Sequence, residues 1–176
     1  MKVRVAGSED AKGIAKVHVD SWKSTYKKLI PNEYLEQLSY EQREKLWLAN
    51  MLENEVFVAE NDQKEIVGFS TGGKERSGKY TGYEGELYAI YILKECQGIG
   101  LGRQLIQPII QQFMQEDLTG MIVQVLEGNK ATKFYEVLGA EIIGVIEIQI
   151  GGRKMNELVY GWKNIEEINF QKAGKQ

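Results

Sequence analysis

Gln97-Gly98-Ile99-Gly100-Leu101-Gly102 is the stretch with the clearest chemistry in this chain. Its three alternate glycines remove side chains where an apolar strand, Leu87-Tyr88-Ala89-Ile90-Tyr91-Ile92, gives way to a helix. Backbone N–H groups bared in this way approach an anion closely, and the positive end of the helix dipole adds to the attraction. The run reads as a cradle for a diphosphate. Two other phosphate motifs fail on spacing. A dinucleotide fingerprint needs glycine at 98, 100 and 103, yet position 103 is Arg103; a P-loop must close on Gly-Lys-Ser/Thr, which is not present.

The remaining reactive residues narrow the chemistry. Cys96 is the only cysteine, which excludes an intrachain disulfide and a cysteine metal cluster. His18 is the only histidine, so multi-histidine metal sites are excluded and a Ser-His-Asp triad is a poor fit. No metal is expected. A net charge of −3 over 176 residues argues against nucleic acid or an anionic membrane as the main partner. No apolar stretch approaches the ~20 residues that span a bilayer, and charges interrupt the N-terminus where a signal peptide would be apolar. The expectation is a cytoplasmic protein.

The elements that must carry these residues follow from periodicity. Val3-Arg4-Val5 reads as a strand, and Ser8 as the cap of a helix with Ala11, Ile14, Ala15, His18 and Trp22 on one face. Asn32 suits the cap of a short turn, and Ser39-Tyr40-Glu41-Gln42 a capping box that opens a helix to about Leu52. Val56–Ala59 and Ile66–Ser70 form a hairpin, followed by an exposed loop from Gly72 to Gly82. After the cradle, Leu101, Leu105, Ile109 and Phe113 recur every fourth residue, with Pro108 expected to kink that helix. A strand over 121–126, a helix with Ala131, Phe134, Tyr135 and Leu138 on its apolar face, and strands over 142–150 and 155–162 complete the order. Residues 1–164 read as one domain and 165–176 as a polar tail.

Gln-x-x-Gly-x-Gly between strand and helix resembles the acyl-CoA signature of the GNAT (Gcn5-related N-acetyltransferase) superfamily. The block from Glu127 to Ala140 is similar to that superfamily's second motif, "N-x-x-A-x-x-F-Y-x-x-x-G-F", with Ala140 in place of the usual Phe. The element order β-α-α-β-β-β-α-β-α-β-β is also the superfamily's. The resemblance implies an α/β (α+β) fold with a mixed, mostly antiparallel seven-stranded sheet and splayed central strands. It further implies an acetyl-CoA-dependent N-acetyltransferase acting on a small-molecule or peptide amine by direct transfer. A non-catalytic acyl-CoA sensor is the alternative, and an oxidoreductase using a nucleotide a weaker one. Members are often homodimers.

Roles follow by position. The resemblance places donor contacts on the backbone of Ile90, Tyr91 and Ile92, on Gln97, Gly98, Ile99, Gly100, Leu101, Gly102 and Arg103, and on Asn129, Lys133 and Phe134. Asn129 could equally cap its helix. Tyr135 sits where the superfamily places a general acid, although the same helix face would bury an aromatic anyway. An ammonium with a pKa near 10.4 must lose a proton before it attacks a thioester. Glu86 is the favoured base and Glu84 the second choice; alternatively both are solvated carboxylates at a strand end. Trp22, Tyr26 and His18 either line the acceptor pocket or pack the core.

Overall fold

The computed structural model describes residues 1–168 and 170. Seven strands form one sheet in the order β1-β2-β3-β4-β5-β7-β6. They are β1 (Lys2–Val5), β2 (Val56–Glu60), β3 (Ile66–Lys74), β4 (Gly85–Ile92), β5 (Met121–Leu126), β6 (Glu141–Ile150) and β7 (Arg153–Trp162). All pairings are antiparallel except that of β4 with β5, which is parallel and covers only Gly85–Leu87 against Met121–Val123. Beyond those three pairs the two central strands separate. This is the splayed, mixed seven-stranded sheet that the resemblance implies.

Five helices cover the sheet: α1 (Ala11–Tyr26), α2 (Asn32–Glu36), α3 (Tyr40–Asn50), α4 (Leu101–Gln115) and α5 (Ala131–Val137). The turn expected at Asn32 closes into a one-turn helix, so three helices rather than two precede β2. Asn32 is its first residue and not its cap. Ser8 does not cap α1 either. A 3-10 turn over Ser8–Asp10 intervenes, and the Asp10 carboxylate accepts from Gly7 N–H at 2.8 Å and from Arg4 at 2.7 Å. Ser39 does cap α3, accepting from Gln42 N–H at 3.3 Å. Pro108 lies inside α4, as read from the sequence.

The core lies on both sides of the sheet. On one side Ile14 and Val17 of α1 and Trp47 of α3 meet Val56, Val58 and Phe69. On the other Ile106, Ile109 and Phe113 of α4 meet Leu87, Met121 and Val123, with Tyr135 and Leu138 of α5 alongside. Each such aliphatic or aromatic side chain stabilises the fold by about 1.5–3 kcal/mol on burial. Two local expectations change. Gly72, Gly73 and Lys74 extend β3, because Gly72 lets the backbone of Glu86 and the Ile109 side chain approach within 3.0 Å of where a Cβ would stand. Just past Asn164, Ile165 and Ile168 join the α4 side of the core, while residues 169 and 171–176 of the expected polar tail lie outside the described residues.

Candidate active site

The cradle is built from backbone. Gly98 and Gly100 adopt φ of +78° and +84°, in the left-handed region that only glycine enters without strain. Gly100 is the N-terminal flanking residue of α4, and its carbonyl accepts from Arg103 and Gln104 N–H. Among the described residues, no acceptor engages the N–H groups of Gly98, Ile99, Gly100, Leu101 or Gly102. Five consecutive bare amides at the start of a fifteen-residue helix make a concave donor surface for an anion. The side chains nearby do other work. Leu101 is buried in the core, Ile99 is exposed, and Gly102 makes room for the Phe134 ring, 3.1 Å from where its Cβ would be. Gln97 donates from Nε2 to the Ile92 carbonyl at 3.0 Å, which ties the cradle to the end of β4.

Beside the cradle, β4 presents a free edge. Leu93 N–H donates to Val67 O at 2.9 Å. By the two-residue alternation of an antiparallel ladder, Tyr91 then directs its N–H and C=O toward β3, and Ile90 and Ile92 direct theirs toward the gap left by β5. The N–H groups of Ile90 and Ile92 are therefore available, whereas the Tyr91 backbone is consumed and the Ile92 carbonyl already accepts from Gln97 Nε2 at 3.0 Å and from Ser21 Oγ at 3.2 Å. A bulge accompanies the splay. Thr71 pairs with Ala89 and Gly72 with Leu87, so Tyr88 is an extra residue on β4.

A cavity of about 170 Å³ opens on the α1 side of the gap. Trp22, Tyr26, Tyr88 and Tyr91 supply aromatic walls, and Glu86, Arg76 and Glu157 the charges. Glu86 is only 2% exposed, and its carboxylate accepts three hydrogen bonds from Arg76: N–H at 3.2 Å, Nε at 3.1 Å and Nη2 at 2.5 Å. The Arg76 guanidinium also covers the Tyr88 ring, 4.3 Å from its centroid. Glu157 is different. It is half-buried on β7, and while its backbone pairs with β5 and β6 its carboxylate has no hydrogen bond or ion pair among the described residues. Burial, with Glu86 nearby, holds its carboxyl above the ordinary glutamate range, and Arg76 offsets this only in part. The Trp22 indole N–H is buried close to the Tyr91 hydroxyl, with no acceptor in good hydrogen-bonding geometry among the described residues.

Three expected residues land elsewhere or act indirectly. Glu84 precedes β4 and turns away from the cavity, accepting from Gly120 N–H at 3.1 Å and from Thr119 Oγ1 at 3.4 Å. Its two-residue offset from Glu86 does not put them in one place, because the chain enters the sheet between them at Gly85. His18 does not line the cavity. It stacks on Tyr91 at 5.2 Å, and its Nδ1 accepts from Trp47 Nε1 at 3.0 Å. Burial, with Arg43 adding to it, pushes the imidazole down to about 3, so it is neutral and braces the wall from behind. Asn129 lies one residue before the flanking residue of α5, Lys130, and is not its cap; its Oδ1 accepts from Ala131 N–H at 2.9 Å and its Nδ2 donates to the Tyr26 hydroxyl at 3.2 Å. Both ends of its amide are used inside the protein.

Tyr135 is buried on α5, with its ring edge-on to Phe134 at 5.5 Å and to Trp162 at 6.0 Å. Burial, and then the nearby Tyr91, raise its phenol well above the usual tyrosine value. Tyr26 is raised too, by burial and by Tyr91 and Tyr135. The three phenols thus converge and stay protonated. Lys133 is exposed on α5, and Arg103 lies in the first turn of α4, the end that carries the bare amides. The sequence reading missed Arg76 and Glu157. Arg76 was hidden in what read as loop. Glu157 carried a usable signal, since Met155 and Val159, two residues either side on the same strand face, are apolar. Among the described residues no group of three or more His, Cys, Asp and Glu side chains could hold a metal ion.

Comparison with known proteins places this arrangement. The model of the acetyltransferase (GNAT) family matches residues 19–140. Over 166 residues the chain is 39% identical to the uncharacterized N-acetyltransferase YuaI of Bacillus subtilis (strain 168), covering 94% of this chain and 95% of that protein. The ribosomal-protein-alanine N-acetyltransferase from Brucella melitensis shares the fold with a TM-score of 0.70 at 24% identity, over 92% of this chain and 99% of that one. So does yncA from Salmonella typhimurium, solved with its cofactor acetyl-CoA, with a TM-score of 0.68 at 19% identity over 100% and 98% of the two chains.

Proposed function

We propose, starting from the fact that the chain belongs to the acetyltransferase (GNAT) family, that it moves an acetyl group from acetyl-CoA to a primary amine by direct transfer in a ternary complex. The observation that carries this reading is the row of bare amides from Gly98 to Gly102 beside the open edge of β4. A pyrophosphate fits the first, and the extended amide-bearing arm of a coenzyme A fits the second, pairing with Ile90 and Ile92 as an added strand would. The acetyl-CoA bound by the Salmonella structure supports the same donor here. Arg103 and Lys133 stand on the helices flanking the cradle and add positive charge for phosphates.

When bound, the donor supplies an acetyl thioester. The protein's part is to hold an amine near it, stabilise the charge on the carbonyl oxygen and return a proton to sulfur. A free N–H of Ile90 or Ile92 suits the second task. Tyr135 is the candidate for the third: its buried phenol stays protonated and can offer its O–H to the departing sulfur, although burial makes it a weaker acid than a free tyrosine. Glu86 suits a base less well than its position on β4 suggests. Its carboxylate is engaged by Arg76, and its role here is to fix Arg76 and the loop that carries it.

Thiol release from acetyl-CoA, followed with a panel of primary amines, tests the reading. Turnover with at least one amine supports it, and the absence of any favours a sensor. No helix among the described residues is long and apolar enough to cross a membrane, and an acyl-CoA donor fits a cytoplasmic setting. Self-association as a homodimer would use β6, one of the two edge strands of the sheet, where Ile142 and Val145 are more than half exposed. Sedimentation velocity checks this, and a monomer at high concentration would rule it out.

A further inference from the structure

We propose that Glu157 receives the acceptor's ammonium group and takes its proton, and that the acceptor is a small amine with an apolar body and no carboxylate beside the nitrogen. The inference rests on the acetyltransferase reading of the site and names the substrate class.

The charge count in the cavity leads to it. Two carboxylates, Glu86 and Glu157, face one cation, Arg76, and that cation is already bound to Glu86 through both Nε and Nη2. The Glu157 carboxylate is left half-buried with no protein donor among the described residues, a position in which a ligand's charged donor would be favoured. An ammonium supplies both the charge and the hydrogen bonds. The aromatic walls agree, because Trp22, Tyr26, Tyr88 and Tyr91 present ring surfaces that attract a cation. Ile30, Leu126 and Ile150 leave an apolar remainder for the body of the ligand, and about 170 Å³ keeps it small. An amino acid would bring a third carboxylate beside two others, with Arg76 already bound to Glu86 through Nε and Nη2 and only its Nη1 side left to offset the charge. That arrangement is repulsive.

The other groups facing Glu157 do not compete for its role. From α1 comes Tyr26, and from β4 come Glu86, Tyr88 and Tyr91; burial raises all three of these phenols, so they remain neutral donors. Arg76 reaches in from the loop before β4, and β5 and β6 contribute only Gln124, Leu126 and Ile150. Burial lifts the Glu157 carboxyl, which makes it a stronger base than an exposed glutamate. The bookkeeping of the reaction closes. The nitrogen loses two protons as its bond to the acetyl carbon forms and the carbon–sulfur bond breaks; Glu157 passes one to solvent, and Tyr135 delivers one to sulfur, recovering its own from the second.

The test is calorimetric titration of the protein with CoA present, using phenethylamine and isopentylamine against phenylalanine and leucine. The two amines should bind and the two amino acids should not. Glu157→Gln should weaken amine binding about 30-fold, as expected for removing one member of a buried charge pair. It should also remove the acid limb of the pH profile of kcat/KM, while Glu157→Asp keeps that limb at reduced affinity. The melting temperature of Glu157→Gln should equal or exceed that of the wild type, since a half-buried carboxylate with no partner among the described residues is lost. Unchanged amine affinity in Glu157→Gln, or amino acids that bind as tightly as amines, overturns the inference. CoA binding without affinity for either amine overturns it too and leaves the acyl-donor reading standing, whereas failure to bind CoA removes both.

Discussion

Glu86 and Tyr91 stand five positions apart on β4 and still face the same cavity. In a regular strand an odd separation sends two side chains to opposite faces of the sheet. Tyr88 is the extra residue that reverses the parity. On its far side Ile92 faces Leu105 of α4 across Gly68 and Tyr91 faces His18 of α1; on its near side Leu87 joins the α4 core and Glu86 turns to the cavity. One inserted residue thus assembles a charged and an aromatic wall in one place, where the parallel pairing with β5 ends.

Arg76 is what makes a carboxylate tolerable at that position. Arg76→Ala should destabilise the protein by about 1–3 kcal/mol, because Glu86 is then buried with no side-chain donor. Glu86→Gln should cost less, since the arginine it releases is largely exposed and can return to water. Urea denaturation of the two variants and the double variant checks the order. A double-variant cost equal to the sum of the two single costs would mean that the pair contributes little.

Gly100 should not tolerate a side chain, although there is room for one. Nothing lies within 4 Å of where its Cβ would stand, so the penalty of Gly100→Ala is the left-handed backbone alone, about 1–2 kcal/mol. Relief of that strain would rotate the bare amides away from the cradle, and CoA affinity should fall about tenfold for that cost. Calorimetry reads this directly, and unchanged affinity would detach the glycine run from the donor.

Tyr135→Phe should lower kcat about 100-fold with little change in KM for either substrate. Its hydroxyl makes no hydrogen bond among the described residues, so the melting temperature should hold. A stable variant with full turnover would leave Tyr135 as a packing residue.

His18 gives a pH signature of stability. Its imidazole is held near 3 in the folded protein and titrates near 6.5 in an unfolded chain. Between those values the unfolded state binds a proton that the native state does not. Stability from this group is complete above about pH 6.5 and is lost as pH falls toward 3, at up to about 1.4 kcal/mol per unit. His18→Gln, which can still accept from Trp47, should flatten urea stability between pH 6.5 and 4.5. An unchanged slope would contradict the assignment.

Motif and period made much of this legible beforehand, and geometry that depends on tertiary contacts was not. The cradle was visible because Gly98 and Gly100 need positive φ, a property of the residue type. Gly139, with φ of +87°, ends α5 for the same reason. The face of Glu86 was not visible, because nothing local marks Tyr88 as a bulge. Glu84 was misjudged, since its partner Gly120 N–H lies 36 residues away. His18 was left between two readings that only the Trp47 contact, 29 residues distant, separates. Glu157 stood in a recognised strand but lies across the sheet from every motif.

The central claim is that main-chain amides from Gly98 to Gly102 grip the pyrophosphate of a CoA donor, and an NMR titration of ¹⁵N-labelled protein with CoA addresses it most directly. The amide resonances of these five residues should move together and saturate, with Ile90 and Ile92 following, and pantetheine, which lacks the pyrophosphate, should leave the five in place. Shifts confined to other parts of the chain, or none on addition of CoA, would contradict it.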